Sequence, residues 1–230
     1  MQPPKKEALL FVCGQCGFES RKWLGRCPDC GAWDSLTEQK KQISVRHGRK
    51  AATAQPLTAT GEEECVRLVT DIGEMDRVLG GGIVPGSLVL IGGDPGIGKS
   101  TLILQLLSSL AAKQMKALYV TGEESVRQIR MRASRLNIKD EAIYISTENC
   151  VEAIVDLAAK MQPALLAVDS IQAVFSEEVG SAPGSVTQVR EATARLLALA
   201  KSSHLPILLV GHVTKDGAIA GPREIGRAHV

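Results

Sequence analysis

Eight consecutive residues, Gly93-Asp94-Pro95-Gly96-Ile97-Gly98-Lys99-Ser100, read G-x-x-x-x-G-K-[ST], the spacing of a loop that cradles phosphate. Gly93, Gly96 and Gly98 let the backbone curl until successive N–H groups point at phosphate oxygens. An apolar run, Ser87-Leu88-Val89-Leu90-Ile91, precedes the loop as a buried strand, and Thr101 to Leu107 follow as a buried helix. The positive end of that helix adds to the attraction for anions. Lys99 is expected to reach the outer phosphates of a nucleoside triphosphate and Ser100 to ligate Mg²⁺. The candidate cofactor-binding set is Gly93, Asp94, Pro95, Gly96, Ile97, Gly98, Lys99, Ser100 and Thr101.

A second chemistry sits near the N-terminus. Cys13 and Cys16 form one C-x-x-C pair, and Cys27 and Cys30 another. Two such knuckles make a tetrahedral four-thiolate metal site, with Gly14, Gly17 and Gly31 placed for the tight turns. Zinc is the first choice of metal, a single iron the runner-up, and two disulfides the remaining reading. So short a segment cannot bury a sufficient core, so the metal is expected to supply much of its folding free energy. Trp23 and Trp33 are expected to shield it by packing. Cys65 and Cys150, isolated, read as small buried hydrophobes.

Three further groups follow apolar runs. Leu165-Leu166-Ala167-Val168 delivers Asp169 to a strand end, where it is expected to hold Mg²⁺ through the ion's water shell. Tyr119-Val120-Thr121-Gly122 leads to Glu123 and Glu124. One of them is expected to orient and deprotonate an attacking water, Glu123 first and Glu124 as the alternative. The competing reading is a helix start whose carboxylates merely favour the dipole. His212 ends the last apolar run and reads either as a sensor of the γ-phosphate or as a surface histidine.

These groups need a scaffold. Strand and helix alternate from about residue 65: strands at 88–91, 117–120, 142–145, 165–168 and 206–210, and helices at 99–112, around Val126–Leu136, 151–161 and 186–203. That order predicts an α/β fold with right-handed crossovers and a mostly parallel sheet covered on both faces. Ligands in such sheets bind at the carboxyl ends of the strands, where the phosphate loop, Glu123, Asp169 and His212 all fall. The expected domains are a metal module at 9–36, a linker at 37–64 and the α/β core at 65–223.

Composition bounds the rest. The chain has 230 residues, 44% hydrophobic and 23% charged, with no apolar run of membrane-spanning length and no signal-peptide core. A cytoplasmic protein without a membrane partner is the expectation. The net charge of +2 is uneven: residues 1–60 carry +5 and residues 61–230 carry −3. The basic part could touch nucleic acid or simply be a solvated linker. Aromatic residues are 3%, which is sparse for a base-stacking surface.

Taken together, the motifs resemble the bacterial RadA (Sms) family of RecA-like ATPases. The resemblance rests on Phe11 to Gly17 with Ser20 to Cys30, on Asp76 to Ile83 ahead of the phosphate loop, and on Gly211-His212-Val213-Thr214-Lys215-Asp216-Gly217. It covers residues 9 to about 223. It implies a RecA-like P-loop core behind a four-cysteine zinc ribbon, with ATP, Mg²⁺ and Zn²⁺ as cofactors. It implies an ATP-driven motor on single-stranded and branched DNA, with helicase or branch-migration activity. The RecA recombinase is the implied partner and a homo-hexameric ring the implied assembly. By the same analogy Phe175 to Ser185 and Lys215 to Arg223 face DNA, with Lys215 and Arg223 on phosphates. Glu177 and Glu178 sit awkwardly for that role. The family's Lys-Asn-Arg-Phe-Gly motif and its Lon-like domain do not occur in this sequence. Residues 224–230 depart from the family pattern and read as a non-native tail on a truncated frame.

Two other functions compete: a zinc-ribbon adaptor with a nucleotide-gated, non-hydrolysing core, and another RecA-like motor such as a replicative-type helicase. The second would lack the zinc module. ATP turnover separates the first.

Overall fold

The computed structural model describes residues 9–15, 17–40 and 66–212. Cys16, Cys65, most of the expected linker, and the segment from Val213 onward with Lys215 and Arg223 lie outside the described residues. The chain divides into two compact units, Met1–Val66 and Arg67–Val230.

In the first unit, β1 (Leu9–Cys13) pairs antiparallel with both β2 (Glu19–Ser20) and β3 (Leu36–Lys40), giving the order β2-β1-β3. Cys13 ends β1 opposite Leu36. The chain then reverses: Gly17 N–H donates to Cys13 C=O at 2.8 Å, and Gly31 N–H donates to Cys27 C=O at 2.9 Å. Gly17 and Gly31 close these turns at φ of +78° and +74°, which an L side chain resists. Cys13, Cys27 and Leu36 form the small core, with Phe11, Phe18 and Leu24 against it.

In the second unit, a short α1 (Gly73–Val78) precedes β4 (Leu88–Gly93) and α2 (Lys99–Ala112). Then follow β5 (Ala117–Thr121), α3 (Val126–Arg135), β6 (Ile143–Ser146), α4 (Val151–Met161), β7 (Leu165–Asp169), α5 (Val186–Ser203) and β8 (Ile207–His212). The five strands are parallel, in the order β4-β8-β7-β5-β6.

Both faces of the sheet are buried, and the strand period of two sorts the side chains between them. Leu118, Val120, Leu166, Val168, Ile207 and Leu209 pack with α4 and α5. Ala117, Tyr119, Leu165, Ala167, Leu208 and Val210 pack on the other face with α2 and α3. This explains why the strands read as unbroken apolar runs rather than alternating ones.

The strand order does the positioning. β8 lies between the strand that enters the phosphate loop and the strand that ends in Asp169, in register with both. Gly93 pairs with His212, and Thr121 pairs with Asp169. Four strand ends therefore converge on one edge.

Candidate functional site

The phosphate loop runs from the end of β4 to the first turn of α2. Gly96 and Gly98 adopt φ of +82° and +106°, so both occupy the left-handed region expected of such a loop. Gly98 caps α2, and its carbonyl accepts the first intrahelical bond, from Leu102 N–H at 2.9 Å. Gly93 has a different reason: a Cβ there would lie 3.2 Å from Ile97 Cγ2. Lys99 is buried and folds back, donating from Nζ to the carbonyls of Gly93 at 2.6 Å and Asp94 at 2.8 Å.

A cavity of about 310 Å³ opens over this loop. Pro95, Gly96, Gly98, Lys99, Ser100 and Thr101 line one side, and Glu123, Glu124, Arg132, Asp169 and His212 the other. The structure thus brings Lys99, Ser100, Thr101, Glu123, Glu124, Asp169 and His212 to one cavity, whereas Gly93 and Asp94 of the candidate set do not line it. Ile97, also in the candidate set, is exposed at the loop's tip.

Asp169 is buried, and its Oδ2 accepts a hydrogen bond from Tyr119 Oη at 2.7 Å. Burial first, and then the negative charge of Asp169, push the Tyr119 phenol far above its usual pKa. It therefore stays protonated and fixes the carboxylate's orientation. Sequence reasoning does not single out Tyr119. Its signal is faint: a tyrosine in the middle of an otherwise aliphatic strand.

Glu123 and Glu124 part company. A capping box starts α3 directly after them, with Ser125 N–H donating to Gln128 Oε1 at 2.8 Å. This leaves both carboxylates in the strand-to-helix turn. Gly122 permits it, because a Cβ there would sit 2.7 Å from Ala173 Cβ. Glu123 Oε1 accepts from Ser170 Oγ and lies 3.2 Å from His212 Nε2. Glu124 Oε1 instead accepts from Arg132 Nη2 at 2.5 Å. Ser170 and Arg132 are further residues that sequence reasoning does not assign.

The loop from Phe175 to Ser185 is tied to its own fold. The Gln188 amide accepts from Ser176 N–H at 2.8 Å and donates to the carbonyls of Val179 at 2.8 Å and Ser181 at 2.9 Å. Glu178 pairs with Arg195, which also holds Glu152 and Glu191. Glu178, one of the two carboxylates left unassigned in the sequence, is therefore an ion-pair partner within the fold.

At the metal module, the Sγ atoms of Cys13, Cys27 and Cys30 all lie within 4.8 Å of one another. Cys13 Sγ and Cys30 Sγ are 3.7 Å apart. A tetrahedron with metal–sulfur bonds of about 2.3 Å has sulfur–sulfur edges of about 3.8 Å, so these residues fit a metal. Cys16, the expected fourth ligand, lies outside the described residues.

Two expectations need correction. Trp23 and Trp33 do not shield the module; they are 55% and 73% exposed. Leu36, Phe11, Phe18 and Leu24 pack with Cys13 and Cys27 instead, and the Arg26 guanidinium lies over Trp33, 5.7 Å from the indole centre. Cys150 is not a buried hydrophobe. It is partly exposed, and its thiol donates to Glu152 Oε2 at 3.1 Å. Burial raises its pKa, which keeps it a thiol.

Comparison with known proteins agrees with this anatomy. Residues 11–38 match a family described as a rubredoxin metal binding domain, and residues 67–218 match the AAA domain family. DNA repair protein RadA of Bacillus subtilis is 48% identical over 226 residues, covering 95% of this chain and 49% of that protein. The proteins of the same name from Halalkalibacterium halodurans and Pseudomonas aeruginosa are 47% and 48% identical, each over 95% of this chain and 49% of the relative. The chain therefore spans about half the length of the curated relatives it matches. The N-terminal unit is a Cys zinc-ribbon module, and the second is a P-loop α/β domain.

Proposed function

The chain belongs to the AAA domain family and is similar along 95% of its length to proteins named DNA repair protein RadA; on that premise we propose that it is a Mg²⁺-dependent, DNA-stimulated ATPase acting in DNA repair. The single observation that carries this reading is the shared cavity, in which the phosphate loop faces Asp169, Glu123 and His212.

Gly96 to Thr101 bind the triphosphate through backbone N–H groups, Gly93 to Pro95 shape the loop, and Lys99 leaves its loop carbonyls for phosphate oxygens. Ser100 and Asp169 are the residues that would hold Mg²⁺, the latter oriented by Tyr119. Bound Mg²⁺ would neutralise charge on the phosphate oxygens during transfer. Glu123 takes the proton of the attacking water. Ser170 and His212 occupy its Oε1, which leaves Oε2 for that water. His212 also reports the γ-phosphate through the same carboxylate.

The zinc ribbon (9–36) and the RecA-like core (65–223) are the working parts, joined by the linker at 37–64, with residues 224–230 outside the family pattern. The substrates are single-stranded and branched DNA, and the activity is helicase or branch migration in homologous recombination. The partner is the RecA recombinase, the assembly a homo-hexamer and the compartment the cytoplasm. The name that the relatives carry supports the role in DNA repair, and the other statements are what the resemblance of the motifs implies. No helix among the described residues is long and apolar enough to cross a membrane.

Steady-state ATP turnover with and without single-stranded DNA tests the reading. DNA-stimulated turnover that is lost in Lys99→Ala is the expected result. Tight ATP binding without turnover overturns it in favour of a nucleotide-gated adaptor.

A further inference from the structure

Arg132 lines the phosphate-loop cavity, while Arg127, Arg130 and Arg135 on the same helix do not. It enters from α3, and Lys99 lines the same cavity from the start of α2. Its guanidinium is only half used: Nη2 donates to Glu124 Oε1 at 2.5 Å. Among the described residues, Arg132 Nη1 and Glu124 Oε2 are both buried without a hydrogen-bond partner. Buried polar atoms are rarely left so, and an unmatched guanidinium N–H marks a place for an acceptor.

The charge of the cavity says which acceptor. Its carboxylates are Glu123, Glu124 and Asp169, and its fixed cations are Lys99 and Arg132. Glu124 already offers one oxygen to Arg132, so a further carboxylate would add repulsion. A phosphate oxygen matches the planar guanidinium fork and supplies the missing acceptor.

We propose that Arg132 is a phosphate ligand of the bound nucleotide, held in place by Glu124 as a positioning residue. The proposal rests on the nucleotide reading of this cavity and adds to it a second cationic arm, on the helix facing the loop. It also assigns Glu124 a task other than activating water. No spacing rule ties Arg132 to the phosphate loop, which is why sequence reasoning passes over it.

The test uses the full 230-residue chain. ATP with Mg²⁺ is titrated against wild type, Arg132→Gln, Arg132→Lys and Lys99→Ala. Inorganic tripolyphosphate and adenosine serve as separate competitors, and melting is followed without nucleotide. Arg132→Gln is expected to weaken ATP and tripolyphosphate by about tenfold or more while adenosine binding stays within about twofold. The salt dependence of ATP binding becomes shallower in Arg132→Gln, and Arg132→Lys recovers part of the loss.

If Lys99→Ala loses ATP while Arg132→Gln binds ATP and tripolyphosphate as wild type does, the proposal is wrong and the cavity reading stands. Equal weakening of all three ligands together with a lowered melting temperature makes Arg132 a structural ion-pair partner, which also overturns it. A wild-type chain that binds no ATP removes the reading and the proposal together.

Discussion

Glu123 and His212 stand 89 residues apart in sequence and 3.2 Å apart in space, Oε1 to Nε2. The contact exists because β8 is inserted between β4 and β7, which brings its last residue level with Gly93. A strand end beside the phosphate loop is thereby joined to the carboxylate proposed to activate water. Ser170, next to Asp169, shares the same oxygen. Ser170, the neighbour of the proposed Mg²⁺ ligand, and His212 thus meet at the carboxylate proposed to activate water.

Glu123→Gln is expected to lower ATP turnover by about 10²–10⁴-fold, the usual worth of a general base. ATP affinity should change little. Glu124→Gln should cost turnover far less. Parallel turnover and binding titrations check this, and equal turnover losses in the two variants would remove the distinction drawn between them.

Tyr119→Phe removes the buried hydrogen bond that fixes Asp169. The carboxylate is then free to rotate, so several-fold more Mg²⁺ should be needed for half-maximal nucleotide binding. Stability should fall by about 1–2 kcal/mol. Mg²⁺ titrations at fixed nucleotide and thermal melts measure the two effects. An unchanged Mg²⁺ requirement would mean that Tyr119 only packs.

Cys27→Ser should release zinc and unfold the N-terminal unit, because its core is little more than Cys13, Cys27 and Leu36. The second unit has its own two-faced core and should keep binding nucleotide. Metal analysis and hydrogen exchange read the two units separately. Stoichiometric zinc in the variant would contradict the thiolate site.

Acid should loosen the α4–α5 clamp. Burial alone would raise the pKa of Glu152, but hydrogen bonds from Ser176 and Cys150 and the charge of Arg195 outweigh it and hold the pKa below its ordinary value. A depressed carboxylate pKa contributes stability that is full above the unfolded value and is lost as pH falls through the folded one. Arg195→Met should therefore move the acid-unfolding midpoint upward and cost about 1–3 kcal/mol near neutral pH. Melting curves from pH 3 to pH 7 test both, and an unmoved acid midpoint would count against the clamp.

Much of this is legible in the sequence because the relevant signals are local. Lys99–Ala112, Val151–Met161 and Val186–Ser203 form helices with the expected boundaries, since each apolar pattern ends at a turn. The glycines of the phosphate loop and the knuckles declare themselves by spacing. Partners chosen by tertiary packing are not legible. Tyr119 meets Asp169 only because β5 and β7 are neighbours, and Arg132 meets Glu124 only because the turn into α3 sets the carboxylate beside a residue two helical turns on. The tryptophans mislead for the opposite reason. A large apolar side chain is expected inside, yet a module this small has no interior to receive Trp23 or Trp33.

A crystal structure with Mg²⁺ and a slowly hydrolysed ATP analogue tests the central claim most directly. The account predicts the triphosphate along the N–H groups from Gly96 to Thr101, with Mg²⁺ beside Ser100 and Asp169 and water against Glu123. A triphosphate bound elsewhere, with Lys99 still folded onto the carbonyls of Gly93 and Asp94, would contradict it.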